Sequence, residues 1–440
     1  MNDRAHCDVL VLGSGMGGLA TAALLARDGF RVIVAEKMPR IGGRCSTMDY
    51  DGFKCITGVV GVETKGIVQE LFHRVGADFD VQEAGAPHYL INGQICQVPS
   101  RGGMKHLMMA AGADAMDVET VMNAITGALH WRTPSCDVAL GDWLRQYTSN
   151  PKIIEIFQAL VSAVLFVNVN ELSVHTYFEF LRKLKGIQRF GYAPGGSIRL
   201  AQSLARVVLD NGGEIWTRCR VNAIKSHKNI VRGATVSRWG KSISIKAPVV
   251  ISNVGPKETA RLAETGILDH SYLRELDQRM KPAVITALQF AMDEPLFESN
   301  HLLVTGTQSL NSVYQPTMVC PEWAPEGRHL LVAGSAPRNC REPFDGNLEI
   351  ERCLADLRAV FPDFDSRAKL LLAGTFQGAW PGMHSLPGED MDRKTPVINL
   401  YNVGDGVKPL GYTGLPGVVA TGIDVAEEVM GRNKILTGAP

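Results

Sequence analysis

Between residues 8 and 36 the apolar and polar positions fall into a strand, turn, helix, strand order. Asp8 precedes the run Val9-Leu10-Val11-Leu12, a glycine-rich turn follows at 13–18, a helical stretch covers 19–28, and Val32-Ile33-Val34-Ala35 is a second apolar run. Strands that are apolar without interruption are buried on both faces, as in a parallel sheet covered by helices. The segment therefore predicts one βαβ unit, with Gly29 ending the helix where a left-handed residue is favoured. From about 83 to 187 the texture changes to long helical patterns, and Asn150-Pro151 reads as an N-cap followed by a first-turn proline. The apolar stretch 153–167 includes Glu155 and Gln158. It is shorter than the ~20 residues a bilayer requires and predicts a buried helix.

Tyr192-Ala193-Pro194-Gly195-Gly196 breaks the helical pattern and opens another helix over 197–210. Asn211-Gly212-Gly213 ends that helix and a strand begins at 214–217. Strand-like runs at 248–253, 284–290 and 330–333 imply a second sheet beyond the first βαβ neighbourhood. Finally, 397–403 runs into Gly404-Asp405-Gly406, and a glycine-rich loop leads to a helix over 417–430.

Composition narrows the field only slightly. A chain of 440 residues with 45% hydrophobic and 20% charged residues is globular, neither collagen-like nor disordered. Lys+Arg and Asp+Glu are 45 each, so no global field draws in a polyanion, and nucleic acid is not an expected partner. The nine cysteines, among them Cys136, contain no CxxC pair and no cluster with histidine at zinc spacing, so reduced thiols and no metal are expected. Met1-Asn2-Asp3-Arg4 leads straight into the first strand, so a cytoplasmic location is expected.

The chemistry concentrates at the first turn. Gly13, Gly15 and Gly18 stand after a strand and at a helix start: the first for a tight turn, the second for the approach of a pyrophosphate, the third for helix–sheet packing. The helix N-terminus then faces an anion. Glu36 ends the second strand, where a carboxylate accepts from both ribose hydroxyls and repels a 2′-phosphate. Gly42-Gly43-Arg44 adds a second close-approach loop with a guanidinium suited to phosphate or flavin.

With these motifs the sequence resembles the FAD-dependent amine oxidase and phytoene desaturase superfamily. Leu400-Tyr401-Asn402-Val403-Gly404-Asp405 is similar to that family's second flavin motif, and Pro194-Gly195-Gly196 and Ser252-Asn253-Val254-Gly255-Pro256 follow its order. The resemblance implies an α/β fold in which a Rossmann-like FAD-binding domain of parallel strands carries an inserted α+β substrate domain with a mixed or antiparallel sheet. The implied FAD domain comprises 1–82, 191–265 and 371–440, and the substrate domain 83–190 and 266–370. The implied FAD-binding residues are Gly13, Ser14, Gly15, Met16, Gly17 and Gly18 in the first turn, Glu36 and Lys37 after the second strand, and Gly43, Arg44 and Gly58 beyond it. Val221, on the strand that gives backbone contacts to adenine, and Gly404, Asp405, Gly417 and Val418 complete the set. One dinucleotide motif and no CxxC pair leave oxygen, a quinone or a partner protein as electron acceptor.

Which branch the chain follows is read from departures. Gly414-Leu415-Pro416-Gly417-Val418 is similar to the desaturase form of the segment facing the flavin, whereas amine oxidases often place an aromatic where Leu415 stands. Counting back from Pro295 to the position of the amine oxidase lysine gives Ala287, with Lys281 six positions off. Both favour dehydrogenation of a carbon–carbon bond in a small apolar, terpenoid or alicyclic substrate. Against carotenoid desaturation as such, Ile56 and Val59 flank Gly58 where that branch has an acid and a proline. Amine oxidation, a non-redox flavin isomerase or hydratase, and a lipid carrier like the Rab GDP-dissociation inhibitors remain as alternatives. No acid–base set declares itself: His384, Tyr412 and Lys408 are the catalytic candidates, with His175 and Tyr177 as cavity-lining residues, and each also reads as structural. The basic stretch 182–190 reads either as a peripheral contact with an anionic membrane face or as a solvated helix end.

Overall fold

In the computed structural model, which describes residues 3–99, 102–131, 134, 138–184, 189–337, 339–340 and 343–437, the first βαβ unit lies at the centre of a five-stranded sheet. The strands, all parallel, run in the order Glu214–Trp216, Val32–Ala35, Val9–Leu12, Val249–Ser252, Leu400–Asn402. Val9–Leu12 and Val32–Ala35 are buried along their full length, as their unbroken apolar sequence requires. Helix Met16–Arg27 lies on one face, packed against Ile198–Asp210 and Gly414–Thr437. The approach to the last helix is backbone to backbone: a side chain at Gly422 would begin 2.9 Å from the Gly17 carbonyl oxygen. On the other face sits a four-stranded sheet in the order Asp3–His6, Lys241–Lys246, Ile230–Arg238, Cys219–His227. Leu10, Leu12, Ile33 and Ala35 meet Ile224, Val231, Val236 and Ile245 between the two sheets.

A second body is built on a seven-stranded sheet. Its order is Ala368–Phe376, Ile285–Met292, His329–Ser335, Leu310–Tyr314, His301–Val304, His88–Ile91, Gln94–Gln97, antiparallel except for the parallel pair His301–Val304 and His88–Ile91. Helix Gly346–Val360 covers one face through Leu288, Phe290, Leu331, Ala333, Cys353 and Leu357. The opposite face packs on Phe53 and Ile56 of a two-stranded hairpin, on Tyr192 of a three-stranded sheet, and on Trp323 from the turn between Leu310–Tyr314 and His329–Ser335. Five helices between Gly103 and Leu184 form a separate apolar core. Among them is the expected buried helix, at Pro151–Leu165, with the Asn150 side chain accepting from Lys152 N.

The α/β class and the mixed second sheet match the sequence reading, but several boundaries move. The segment from 83 is not helical at its start: His88–Ile91 and Gln94–Gln97 form a hairpin on the edge of the large sheet. Its turn, Asn92-Gly93, has φ of 51° and 76°, the paired left-handed conformation a two-residue hairpin needs. The division expected between 370 and 371 falls inside Ala368–Phe376, which pairs along Ile285–Met292 and so belongs to the large sheet. Likewise His270–Arg279, placed with the inserted part, buries Tyr272 and Leu276 beneath the four-stranded sheet. The last helix begins at Gly414 rather than 417, and the final strand is Leu400–Asn402 only.

The eight cysteines among the described residues are unpaired, and burial pushes the Cys7 and Cys45 thiols up to about 12. Cys136 and residues 185–188 of the basic stretch lie outside the described residues. No described helix is long and apolar enough to cross a membrane, and no described group of His, Cys, Asp and Glu is arranged to hold a metal.

Candidate functional site

The glycine turn is shaped by what a side chain would strike. Gly13 sits at φ 89° with its N–H donating to Ala35 O at 2.8 Å, and a Cβ on Gly18 would collide with the Gly13 carbonyl oxygen. Helix Met16–Arg27 starts at Gly15 with no side-chain cap and no acid in its first turn. Its positive end is thus open to an anion. Glu36, 7% exposed, accepts from Ser14 N (2.8 Å), Ser14 Oγ (2.6 Å) and Met38 N (2.7 Å), so the carboxylate is fixed at the strand end beside the turn. Gly42 N donates to Ser14 O at 2.9 Å, laying the second glycine loop along the first.

Asn253 joins the two ends of the chain here. With its amide oriented to satisfy both neighbours, it accepts from Gly15 N at 3.0 Å and donates to Val403 O at 3.2 Å. A side chain on Gly17 would begin 2.9 Å from Gly404 Cα. First turn, fourth strand and second motif therefore converge on one asparagine, which sequence reasoning placed only as part of a run. Its signal was available: a polar residue directly after an apolar strand that ends beside a glycine turn.

The second motif is held by a buried ionic network. Asp405 accepts from Lys408 Nζ at 2.6 Å, Arg44 Nη2 at 2.7 Å and His384 N at 2.8 Å. Burial alone would raise its carboxyl, but the charges of Lys408 and Arg44 outweigh it and hold the group far below the ordinary carboxylate range. Lys408 also reaches Asp390 at 2.8 Å. Burial disfavours its ammonium, yet Asp390 and Asp405 together hold the net shift upward. Arg44 further donates to Pro381 O (3.0 Å) and Gly382 O (2.7 Å), which joins the first glycine loops to the segment before the second motif. Gly58 packs on Arg44, where a side chain would begin 2.8 Å from the arginine Cβ.

The catalytic candidates separate on this map. Lys408 is a corrected expectation: its ammonium is committed to two carboxylates and its side chain is 1% exposed, so it is not free to exchange protons. His384 stays near the site, its ring against Gly255, and burial followed by the Arg44 charge pushes its imidazole down to about 4. Tyr412 packs beneath Lys183, whose Nζ is 5.3 Å from the ring centroid. Tyr177 is a core residue packed on Phe157 and Phe178, while His175 on the same helix is partly exposed. Lys281 precedes the strand that carries Ala287. Val221 lies on Cys219–His227, which starts beside Glu36 through Cys219 N to Glu36 O at 2.8 Å, and Lys37 is exposed there. Gly417 and Val418 lie in the first turn and a half of the last helix, with Gly417 against Lys408. Asp390 was missed, because Glu389-Asp390-Met391 carries no motif and only folding brings it to Lys408.

The described part of the basic stretch is engaged by the protein itself. Arg182 bonds Glu179 and the carbonyls of Ala128 and Leu129, Lys183 lies over Tyr412, and Arg189 pairs with Glu83.

Three buried hydroxyls on the converging loops, Ser46 Oγ, Ser385 Oγ and Thr413 Oγ1, have no hydrogen-bond partner. Together with glycines that admit no side chain, a helix end without a cap and a fixed Glu36, they form a cradle with more polar capacity than the protein uses. These residues fit a flavin nucleotide.

Comparison with known proteins agrees. The chain is 23% identical over 417 residues to an uncharacterized protein of Methanocaldococcus jannaschii, covering 93% of this chain and 95% of that protein. It is 22% identical over 473 residues to a 15-cis-phytoene desaturase of Solanum lycopersicum, covering 98% and 79%. A crystal structure of an oxidoreductase from Methanosarcina mazei superimposes with a TM-score of 0.86 at 26% identity, covering 96% of this chain and 100% of that one. The family model of flavin containing amine oxidoreductases matches residues 16–430, from the first helix to the last, and the chain belongs to that family of flavin oxidoreductases.

Proposed function

We propose that the chain is an FAD-dependent dehydrogenase that turns a carbon–carbon single bond of an apolar substrate into a double bond, a hydride leaving one carbon for the flavin and a proton leaving the adjacent carbon for solvent. FAD, when bound, supplies the hydride acceptor at the flavin ring. The chain's own residues hold and orient it: Gly13, Ser14, Gly15, Met16, Gly17 and Gly18 at the pyrophosphate, Glu36 at the ribose, Lys37 and Val221 towards the adenine. Gly43, Arg44, Gly58, Gly404, Asp405, Gly417 and Val418 serve the flavin half. The N-terminus of Gly414–Thr437, which has no acid in its first turn, would favour negative charge on a flavin held there.

The observation that carries the substrate reading is the wall opposite Arg44 and Gly58. Strand Ile285–Met292 faces these loops: Gln289 bonds Ile56 N (2.7 Å) and Ile56 O (3.1 Å), and Ile285 packs on Gly382. On that face Ile285, Ala287 and Gln289 carry no charge, and it is Ala287 that the count back from Pro295 reaches for the position of the amine oxidase lysine. Such a wall orients an apolar molecule and excludes water rather than steering an ammonium. The relation to a phytoene desaturase points the same way.

Anaerobic titration of the FAD-loaded protein tests the reading. Terpenoid or alicyclic compounds should bleach the flavin absorbance, whereas bleaching by amines alone would replace it with amine oxidation. For reoxidation we propose oxygen, a quinone or a partner protein, and rapid reoxidation by NADP+ would reject that set.

A further inference from the structure

The charges of this chain balance overall, 45 Lys+Arg against 45 Asp+Glu, but they are not evenly placed. The strands of the four-stranded sheet carry Arg4, Arg220, Lys225, Arg232, Arg238, Lys241 and Lys246, and Asp3 is the one acid within them. One face of that sheet is spent on the fold, through Ile224, Val236 and Ile245. Side chains alternate along a strand, so the rows Arg4, Ser244, Thr235, Ala223 and Ser242, Ser237, Arg220 belong to the opposite face. Arg4, Arg220 and Lys246 are exposed there, around a floor of small and mostly hydroxyl side chains.

Charge alone names no partner, but the hairpin at the end of this sheet adds an anchor. Strands Ile230–Arg238 and Lys241–Lys246 are joined by Trp239-Gly240, both left-handed at φ 53° and 73°. Two-residue turns of this kind favour Asn, Asp and Gly, and a bulky side chain there is strained. Trp239 is nonetheless 70% exposed, so its ring recovers little burial in return for that strain. Cations gather at the same end of the sheet. Arg238 lies over the Trp216 ring at 5.0 Å, Arg218 precedes the pair Cys219–Arg238, and Arg218 N donates to Met38 O at 3.1 Å beside Lys37. Lys225 is answered by Glu264 at 2.8 Å, but no described carboxylate lies at ion-pair distance from Arg4, Lys37, Arg218, Arg220 or Lys246. Glu258, whose carboxyl feels Lys37 and Arg220, is itself forked onto Arg261 at 2.7 and 2.6 Å.

We infer that the outer face of the four-stranded sheet, with Trp239 at its tip, is a docking surface for an acidic protein. Unanswered cations on a rigid face complement a surface of carboxylates and speed its encounter, while Trp and Arg are the side chains that most often anchor such contacts. A bilayer fits less well: Ala223, Thr235, Ser237, Ser242 and Ser244 form a floor that hydrogen-bonds rather than inserts, and the hairpin tip offers one large apolar ring. The surface abuts the ribose end of the cradle, because Glu36 N donates to Trp216 O at 2.9 Å and Cys219 N to Glu36 O at 2.8 Å. It goes beyond the proposed reaction and does not depend on which substrate the flavin oxidises.

Two labelled acidic polypeptides of matched length, poly-L-glutamate and a glutamate–tyrosine copolymer, serve as probes of the FAD-loaded full chain, read by fluorescence anisotropy. Both should bind saturably, and about tenfold more weakly when ionic strength rises from ~0.05 to ~0.5 M. The copolymer should bind at least threefold more tightly, since its rings can pack on Trp239. Arg220→Glu combined with Lys246→Glu should weaken both probes at least tenfold. Trp239→Asn should bring the copolymer down to the level of polyglutamate while the Tm holds or rises, because asparagine is at ease in a left-handed turn. Absence of saturable binding, charge reversal without effect, a copolymer preference that survives Trp239→Asn, or a lowered Tm in that variant would each overturn the assignment. So would vesicles of phosphatidylcholine and phosphatidylglycerol that bind more tightly than the copolymer with the same dependence on Arg220, Lys246 and Trp239, which would give the surface to a bilayer.

Discussion

Replacing Lys408 by Met tests whether the ionic network holds the second flavin motif in place. The ammonium touches Asp390 at 2.8 Å and Asp405 at 2.6 Å, and the three side chains are 1%, 6% and 9% exposed. Removing one partner of a buried ion pair costs ~3–5 kcal/mol, because the charge left behind has neither water nor counter-ion. Here Asp405 keeps Arg44 at 2.7 Å and Asp390 keeps the Lys408 backbone N–H at 2.9 Å. The lower end, about 3 kcal/mol, therefore applies. Unfolding entropy of ~2.1 cal/mol/K per residue amounts to about 0.9 kcal/mol/K for 440 residues, so the Tm should fall by about 3 °C. Thermal scans at fixed rate measure this, and adding Asp390→Asn should recover part of the loss by removing the stranded charge.

The pH dependence follows from the same network. Asp405 is depressed in the fold, so its contribution is present above the ordinary carboxylate pKa of ~4 and is lost as pH falls below it. Lys408 is raised, so its contribution is full below ~10.4 and is lost as pH rises beyond that. Lys408→Met should accordingly make the acid loss of stability shallower. A Tm change under about 0.5 °C, with an unaltered acid limb, would refute the assigned role of the network.

Three further outcomes are expected. His384 is held down at about 4 from an ordinary 6.5, so its contribution to stability is present above 6.5 and is lost as pH falls towards 4; His384→Asn should flatten the Tm–pH curve in that window, and an unchanged slope would contradict it. Asn253→Ala removes the bridge between Gly15 N and Val403 O, costing about 1–3 kcal/mol, and should hasten flavin loss on dialysis; full retention would separate Asn253 from the cradle. Glu36→Ala strands the Ser14 and Met38 amides and removes charge-assisted bonds of roughly 1.5–3 kcal/mol, so Tm and FAD occupancy should fall together; unchanged occupancy would argue against its ribose role.

How much was legible beforehand depended on whether the chemistry was local in sequence. The first βαβ unit was readable because an apolar strand, a turn that tolerates only glycine and a terminal carboxylate follow one another within residues 9–36. The buried helix with its Asn150 cap was legible for the same reason. The hairpin at Asn92-Gly93 was missed although its turn residues were in view, since the helical texture that follows obscured two short strands. The limits of the inserted part were drawn wrongly at Ala368–Phe376, where a partly exposed strand shows its allegiance only by pairing with Ile285–Met292.

The sequence by itself determined the fold class, the glycine turn with Glu36, and the family motifs at both ends of the chain, because backbone sterics and burial act on neighbouring residues. Tertiary structure alone decided that Lys408 is a buried counter-ion rather than a proton carrier. It also decided that Asn253 closes Gly15 onto Val403, and that Gly374, Ala287, Gly334 and Ser312 stand in one row across four strands. The physical reason is distance along the chain: an ion pair, an amide bridge and a cross-strand row depend on which segments meet, and strand register is fixed only when every strand of the sheet is in place.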